Sequence, residues 1–367
     1  MVDSDMVTVE AELAAMRSQY REVVRTGPRW SLRSLLSTPE GDIAAYCEGF
    51  GPSRFGDEAC AGVERFCRGH GIWLEPGGAH YNSMTPYLHP HTITVERMRI
   101  IGIFNAILFW LNDTVGREKF AHLSADEQHR ALETVERLCR LLESRHTGAK
   151  PAAVEVATSE LLALLTRHAD PGWLVRFLGS TIEHLRPAIR DQNARARGGL
   201  LSVVGYIELR ARVSGMYPAI GLCEFARDEY LPWERLPARL GVGLRRLQLL
   251  TVEIGALMND LFSFEKECIV DGSDFNLVPV CLLNTPGATL IDAVHEAARI
   301  VRDRLTEFGV LHARVGDECG GLADRGVVEA VSAHLEDLVG CVRATWVWQI
   351  TTARYKGVSV FAENNAG

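Results

Sequence analysis

An excess of basic residues is what this chain most clearly lacks: 39 Lys and Arg stand against 47 Asp and Glu, a formal net charge of −8. That balance argues against nucleic acid and against anionic membrane surfaces as partners. Paired cysteines are missing too. The nine cysteines are scattered with no C-x-x-C pair, which excludes a zinc ribbon and a disulfide framework and suits reduced thiols in a cytoplasmic setting. The most nearly unbroken apolar run, Ile100 to Leu111, is too short to span a bilayer as a helix, so stable membrane insertion is not expected. Met1 to Asp5 is acidic and carries no apolar signal-peptide core. Alternating strands, internal repeats and low-complexity linkers are also absent.

What remains is helical periodicity in a chain that is 47% hydrophobic, enough for one large core. The reading is an all-α, single-domain helical bundle. Residues 1–28 read as a polar helical lead-in, 29–356 as the domain and 357–367 as a tail. Phe55 to His70 reads as a helix, and residues 71–92, rich in Gly, Pro, Asn and His, as a long loop of the kind that is often functional. Thr94 to Phe120 reads as one long helix around the apolar run. Ser124 and Glu127 form a capping box that opens the next, to about residue 145. Further helices are expected at about 152–168, 172–195, 200–216, 219–229, 242–268, 288–315 and 326–354. Prolines 171, 218, 232, 237 and 286 fall at joints, whereas Pro187 should kink or divide its helix. Val278 to Leu283 could be strand or helix.

The stretch the rest serves is Met258 to Glu267. Asn259, Ser263 and Glu267 recur every fourth residue and share one helical face. An amide oxygen, a hydroxyl and a carboxylate form an all-oxygen set of the kind magnesium prefers. One formal charge in three ligands is little for a protein cage, so the metal would arrive with a diphosphate. The competing reading is a polar stripe on a solvated face, but Leu249 to Leu257 is mostly apolar, and a polar stripe ending a buried helix needs partners.

Asn259, Asp260, Ser263, Lys266 and Glu267 resemble the N-D-x-x-S-x-x-K-E motif of class I terpene synthases. The resemblance implies that Asn259, Ser263 and Glu267 bind one Mg2+ and that Lys266 contacts diphosphate. The stretch from Leu111 to Glu118 occupies the place of that family's aspartate-rich motif but departs from it. Asn112 stands where an acid is expected, and the second acid lies five residues after Asp113. The resemblance makes Asp113 the bridging ligand, with Glu118 a further candidate and Asn112 a neutral ligand or support. Tyr206 to Gly215 resembles the diphosphate-sensor segment. Arg210 shares a face with Ser214 while Arg212 lies nearly opposite, so Arg210 is the sensor candidate, Val213 and Ser214 match the linker and effector, and Gly215 and Pro218 suit a helix break. Arg354 and Tyr355, about ninety residues beyond Asn259, resemble the terminal diphosphate-binding pair. Gly272, Asn276, Leu277 and Val278 match the segment after the second motif.

The resemblance runs from about residue 95 to 355. It implies a magnesium-dependent cyclase that ionises an allylic prenyl diphosphate and cyclises the carbocation. Counting back by helical turns, the expected walls are Gly102, Ala106 and Phe109; Val252, Gly255 and Ala256; Val203 and Tyr206; and Trp348. The small residues Gly102, Ala106, Gly255 and Ala256 lean the reading to geranylgeranyl diphosphate and a cyclic diterpene, with farnesyl diphosphate and a sesquiterpene as the alternative. A chain-elongating prenyltransferase would want a second aspartate-rich motif. A non-catalytic prenyl-diphosphate-binding protein would not need Asn259, Ser263, Glu267, Arg210 and Arg354 together. A protonation-initiated cyclase would need D-x-D-D, which is absent. A homodimer is left open.

Overall fold

The computed structural model describes residues 2–39, 41–75 and 77–365, with the side chains of 2–7, 117 and 118 outside that description. Eighteen α-helices are described: α1 (Val2–Thr26), α2 (Leu32–Leu36), α3 (Ile43–Tyr46), α4 (Gly56–Gly69), α5 (Gly78–Asn82), α6 (Met84–Leu88), α7 (Val95–Val115), α8 (Arg117–Phe120), α9 (Ala125–Ser144), α10 (Ala153–His168), α11 (Pro171–Ala188), α12 (Ala194–Arg197), α13 (Val203–Val213), α14 (Met216–Arg227), α15 (Ala238–Phe264), α16 (Leu277–Leu283), α17 (Leu290–Gly320) and α18 (Arg325–Thr351). Among the described residues there is no strand, only isolated bridges such as Trp30 to Phe361.

Local chemistry sets many of the boundaries. Thr94 accepts from Arg97 N to open α7, Asp170 caps α11 with Pro171 in its first turn, and Thr289 and Asp292 form a capping box on α17. The Ser124–Glu127 box is present as expected. α7 stops at Val115 rather than Phe120, because the chain leaves the helix at Gly116, whose ψ of −180° is extended. Pro187 sits in the last turn of α11, which ends at Ala188, and α12 starts only at Ala194, so the stretch read as one helix over 172–195 is divided just after the proline, as expected. Val278 to Leu283 is helical, within α16. The stretch 71–92 is not all loop, since it holds the short helices α5 and α6.

Two apolar clusters build the interior. The larger gathers α15, α16, α17 and α18 with α13 and the inner face of α1. The smaller gathers α4, α7, α9, α10 and α11. α15 is buried nearly all round from Leu250 to Phe264, as a central helix must be. α7 is the one helix among the described residues with the length and apolarity of a membrane span. Its Ile100, Ile101 and Ile103 are fully buried in the smaller cluster, so that apolarity serves a core helix here. The stretch read as a polar lead-in buries Val9, Leu13, Met16 and Tyr20 against the larger cluster. The stretch read as a tail buries Val360 and Phe361 there, and Glu265 accepts from Ser359 Oγ and Val360 N.

Candidate active site

At the end of α15 the buried apolar helix gives way to polar residues, and the helix widens into a π-turn over Glu265–Val270. Wide turns of this kind are frequent at functional sites, and the expected α-helix to residue 268 did not foresee it. Asp260, fully buried, fastens three elements. It accepts from Tyr206 Oη on α13, from Arg210 Nε at 2.8 Å and from Leu277 N, at 3.1 Å, at the start of α16. These three charge-assisted hydrogen bonds satisfy a carboxylate that burial alone would penalise.

The three expected metal ligands lie along this end of α15. Asn259 Oδ1 accepts from Arg210 Nη2 at 3.1 Å, while its Nδ2 donates to Gln349 Oε1 at 2.9 Å and to Tyr355 Oη at 2.8 Å. Glu267 is buried and accepts from Asn276 Nδ2 at 3.1 Å. Ser263 lies between them in sequence, 1% exposed, and its Oγ has no hydrogen-bond partner among the described residues. A buried hydroxyl left unmatched costs about 1–3 kcal/mol, and a divalent cation is one group that would satisfy it. Asn259 and Glu267 both line the central cavity. The donors present therefore fit a hard cation. Lys266 Nζ lies 3.5 Å from Asp271 Oδ2.

Across from α15, Asp113 is two turns past the apolar heart of α7. Arg354 meets it with Nη1 at 3.2 Å and Nη2 at 3.3 Å, Tyr81 Oη donates to it at 2.5 Å, and Asn112 Nδ2 donates to it at 2.8 Å. Burial opposes ionisation of Asp113, yet Arg354, Tyr81 and Lys266 together hold its carboxyl below the usual range. Arg354 is held charged despite burial by Tyr355 and Asp113, with its guanidinium 4.4 Å over the Tyr81 ring. The Glu118 side chain lies outside the described residues.

The sensor segment keeps its expected phase. Arg210 is buried and paired with Asp260, and Arg212 is exposed. Burial would discharge Arg210, but Asp260 and its neighbours keep its pKa above the ordinary value. α13 ends at Val213, Gly215 turns left-handed at φ 79°, and α14 starts at Met216. Ser214 Oγ donates to Ala211 O and accepts from Met216 N, closing the break, and His184 Nδ1 donates to Arg212 O at 3.2 Å. Val213, Ser214 and Gly215 all face the cavity.

Of the expected walls, Phe109, Gly255, Ala256 and Trp348 line the cavity, and Gly102, Ala106, Val203, Val252 and Tyr206 do not. Gly102 faces α4 instead: a Cβ there would lie 2.5 Å from Val63 Cγ2, so the two helices pack closer and leave no added volume. Tyr206 is fully buried beneath Asp260. The space over Gly255 is taken by Met216, whose Cε would lie 2.6 Å from a Cβ at that position. Reasoning from sequence missed Tyr81, His184 and Gln349. Tyr81 gave no signal beyond its place in a loop flagged as functional. Gln349 could have been noticed as a polar residue inside an apolar helix end.

A family model described as terpene synthase family 2, C-terminal metal binding, matches residues 99–307. The chain is 27% identical over 205 residues to 7-epi-alpha-eudesmol synthase ((2E,6E)-farnesyl diphosphate cyclizing) of Streptomyces viridochromogenes, the match covering 55% of this chain and 58% of that protein. It is 26% identical over 202 residues to Sesquiterpene synthase 1 of Postia placenta, covering 54% and 56%. The chain thus spans less than two thirds of the length of these curated relatives. The crystal structure of an a-eudesmol synthase superposes with a TM-score of 0.69 at 21% identity, covering 83% of this chain and 97% of that one. At that identity the superposition supports the all-α fold alone.

Proposed function

Since the chain belongs to terpene synthase family 2, whose match takes in more than half of it, we propose that it is a class I terpene cyclase that ionises a prenyl diphosphate. The observation that carries the reading is the buried Ser263 hydroxyl between Asn259 and Glu267, without a partner among the described residues. In this reading Asn259, Ser263 and Glu267 hold one divalent cation, Asp113 holds others with Glu118 as a further candidate, and an all-oxygen donor set favours Mg2+. When bound, the metal offsets the charge that develops on the leaving diphosphate.

The remaining work falls to the chain's own groups. Arg354 and Tyr355 close over the diphosphate from the end of α18, and Lys266 adds a third donor. Arg210, anchored by Asp260, is a preorganised cation that needs no reorganisation during reaction. Leu108, Phe109, Met84 and Ala219 give the cavity apolar walls that exclude water from a carbocation. The aromatic faces of Phe109 and Trp348 can steady positive charge. The break at Val213 to Gly215 brings main-chain dipoles to the wall where that charge develops.

For chain length we propose farnesyl diphosphate and a cyclic sesquiterpene. The lean toward a C20 substrate rested on four small residues. Two of them lie outside the cavity wall and a third is covered by Met216. The names of the two curated relatives support the shorter chain.

The test is incubation of the purified protein with geranyl, farnesyl and geranylgeranyl diphosphates plus Mg2+, reading diphosphate release and extracted products. The expected result is the highest kcat/KM on farnesyl diphosphate, with no release in chelator. Ser263→Ala should keep its Tm, since no protein hydrogen bond is lost, yet raise the metal concentration for half-maximal rate by about tenfold or more. Full turnover in chelator would sink the metal assignment, and preference for geranylgeranyl diphosphate the chain length. Binding of all three without turnover would leave a prenyl-diphosphate-binding protein.

A further inference from the structure

Behind the wall of the central cavity lies a second, apolar cavity that the proposed reaction does not use. It is enclosed by α7, α9, α10 and α11, and Leu108, Leu111 and Leu185 line both spaces. The two cavities are therefore separated by one layer of leucine side chains. The central cavity measures about 180 Å³ and the annex about 30 Å³. The annex exceeds the roughly 10–15 Å³ that a single water needs but is a small fraction of the central cavity while the leucines stand. The annex makes no polar demand. Its two threonines, Thr158 and Thr181, spend their hydroxyls on Val154 O at 2.7 Å and Phe177 O at 2.9 Å within their own helices. A space so lined stays dry and favours hydrocarbon.

We infer that the Leu108–Leu111–Leu185 partition limits the isoprenoid chain, and that the annex is a latent subsite for the distal isoprene unit of a longer prenyl diphosphate. The inference rests on the prenyl-diphosphate reading above. Leu108 is the member to open first. It is only partly buried, whereas Leu111 and Leu185 are 1% and 4% exposed. Truncating Leu108 joins the annex to the central cavity, and each methylene of a longer chain that enters it gains the transfer energy of burial.

The experiment compares the affinities of unreactive farnesyl and geranylgeranyl thiolodiphosphates, by calorimetry with Mg2+, for the full chain and its Leu108→Ala variant. The expected result is a rise of about tenfold or more in the geranylgeranyl-to-farnesyl affinity ratio. Thr158→Leu, which fills the annex from α10, should reverse that rise in the Leu108→Ala background and leave farnesyl affinity unchanged alone. Should Leu108→Ala fail to fold, Leu185→Ala opens the same partition from α11 and is read in the same way. An unchanged ratio, or a rise that Thr158→Leu does not reverse, overturns the inference and leaves the functional reading standing. Wild-type binding without turnover of the parent diphosphates overturns catalysis alone, and the ratio still decides the partition. Binding of neither analogue by the wild type overturns both.

Discussion

Asp260 shows how one residue can matter without touching a substrate. It matched the family motif in the sequence, yet no role followed from spacing, because its face of α15 points into protein. In the structure it holds Arg210, Tyr206 and the first turn of α16. This decides what the two arginines of α13 should do when removed. Arg210→Ala strands a fully buried carboxylate, a loss of about 3–5 kcal/mol, together with a site cation. The variant should therefore be inactive and melt at lower temperature. Arg212→Ala removes an exposed side chain and should keep most activity and the wild-type Tm. Measured rates and melting curves check both. Equal losses would mean that the α13 phase is misassigned.

Between helices, two glycines that look alike in sequence do different things. Gly102 lets α7 approach α4, and a Cβ there meets the stiff Val63 Cγ2 at 2.5 Å. Gly102→Ala should cost about 1–3 kcal/mol by overpacking, with the preference among prenyl diphosphates unchanged. Gly255 faces the cavity, and a Cβ there meets the far end of Met216 at 2.6 Å. A flexible thioether can move. Gly255→Ala should therefore fold with little loss but push Met216 into the cavity, raising KM for the longer diphosphates more than for geranyl diphosphate. Unfolding curves and KM across the three diphosphates separate the cases, and a shared pattern would refute the distinction.

For the whole molecule, buried titratable groups set the pH response. Burial raises Glu224 to about 7 against the opposing pull of Leu231 N and Arg176, and raises Asp337 to about 7 against Arg227. Below the ordinary carboxylate range both states are protonated and this stability is fully present. The native state keeps its proton longer, so stability falls as pH rises toward about 7 and then levels. His89 and His334 act with opposite sign, since burial lowers them to about 3 and about 4. Their stability is present above the ordinary histidine value and lost as pH falls. Glu224→Gln isolates one contribution. It should flatten the decline in unfolding free energy between pH 5 and 8 by on the order of 2 kcal/mol, measured by denaturant titration. An unchanged slope would show Glu224 ionised throughout.

Local pattern was enough for the all-α class, most helix positions, the Arg210 phase and the break at Gly215. Each rests on spacing along one helix, which the chain carries wherever it folds. Contacts across the fold were not legible in this way. Tyr81 reaches Asp113 over 32 positions and Arg354 over 241, and no periodicity encodes such pairings. Cavity volume was lost for the same reason: a small residue makes space only if its neighbour does not take it. Val63 takes it at Gly102 and Met216 takes it at Gly255. Spacing could mark the residues proposed as oxygen ligands, whereas the size and shape of the chamber beside them depend on how closely the helices pack.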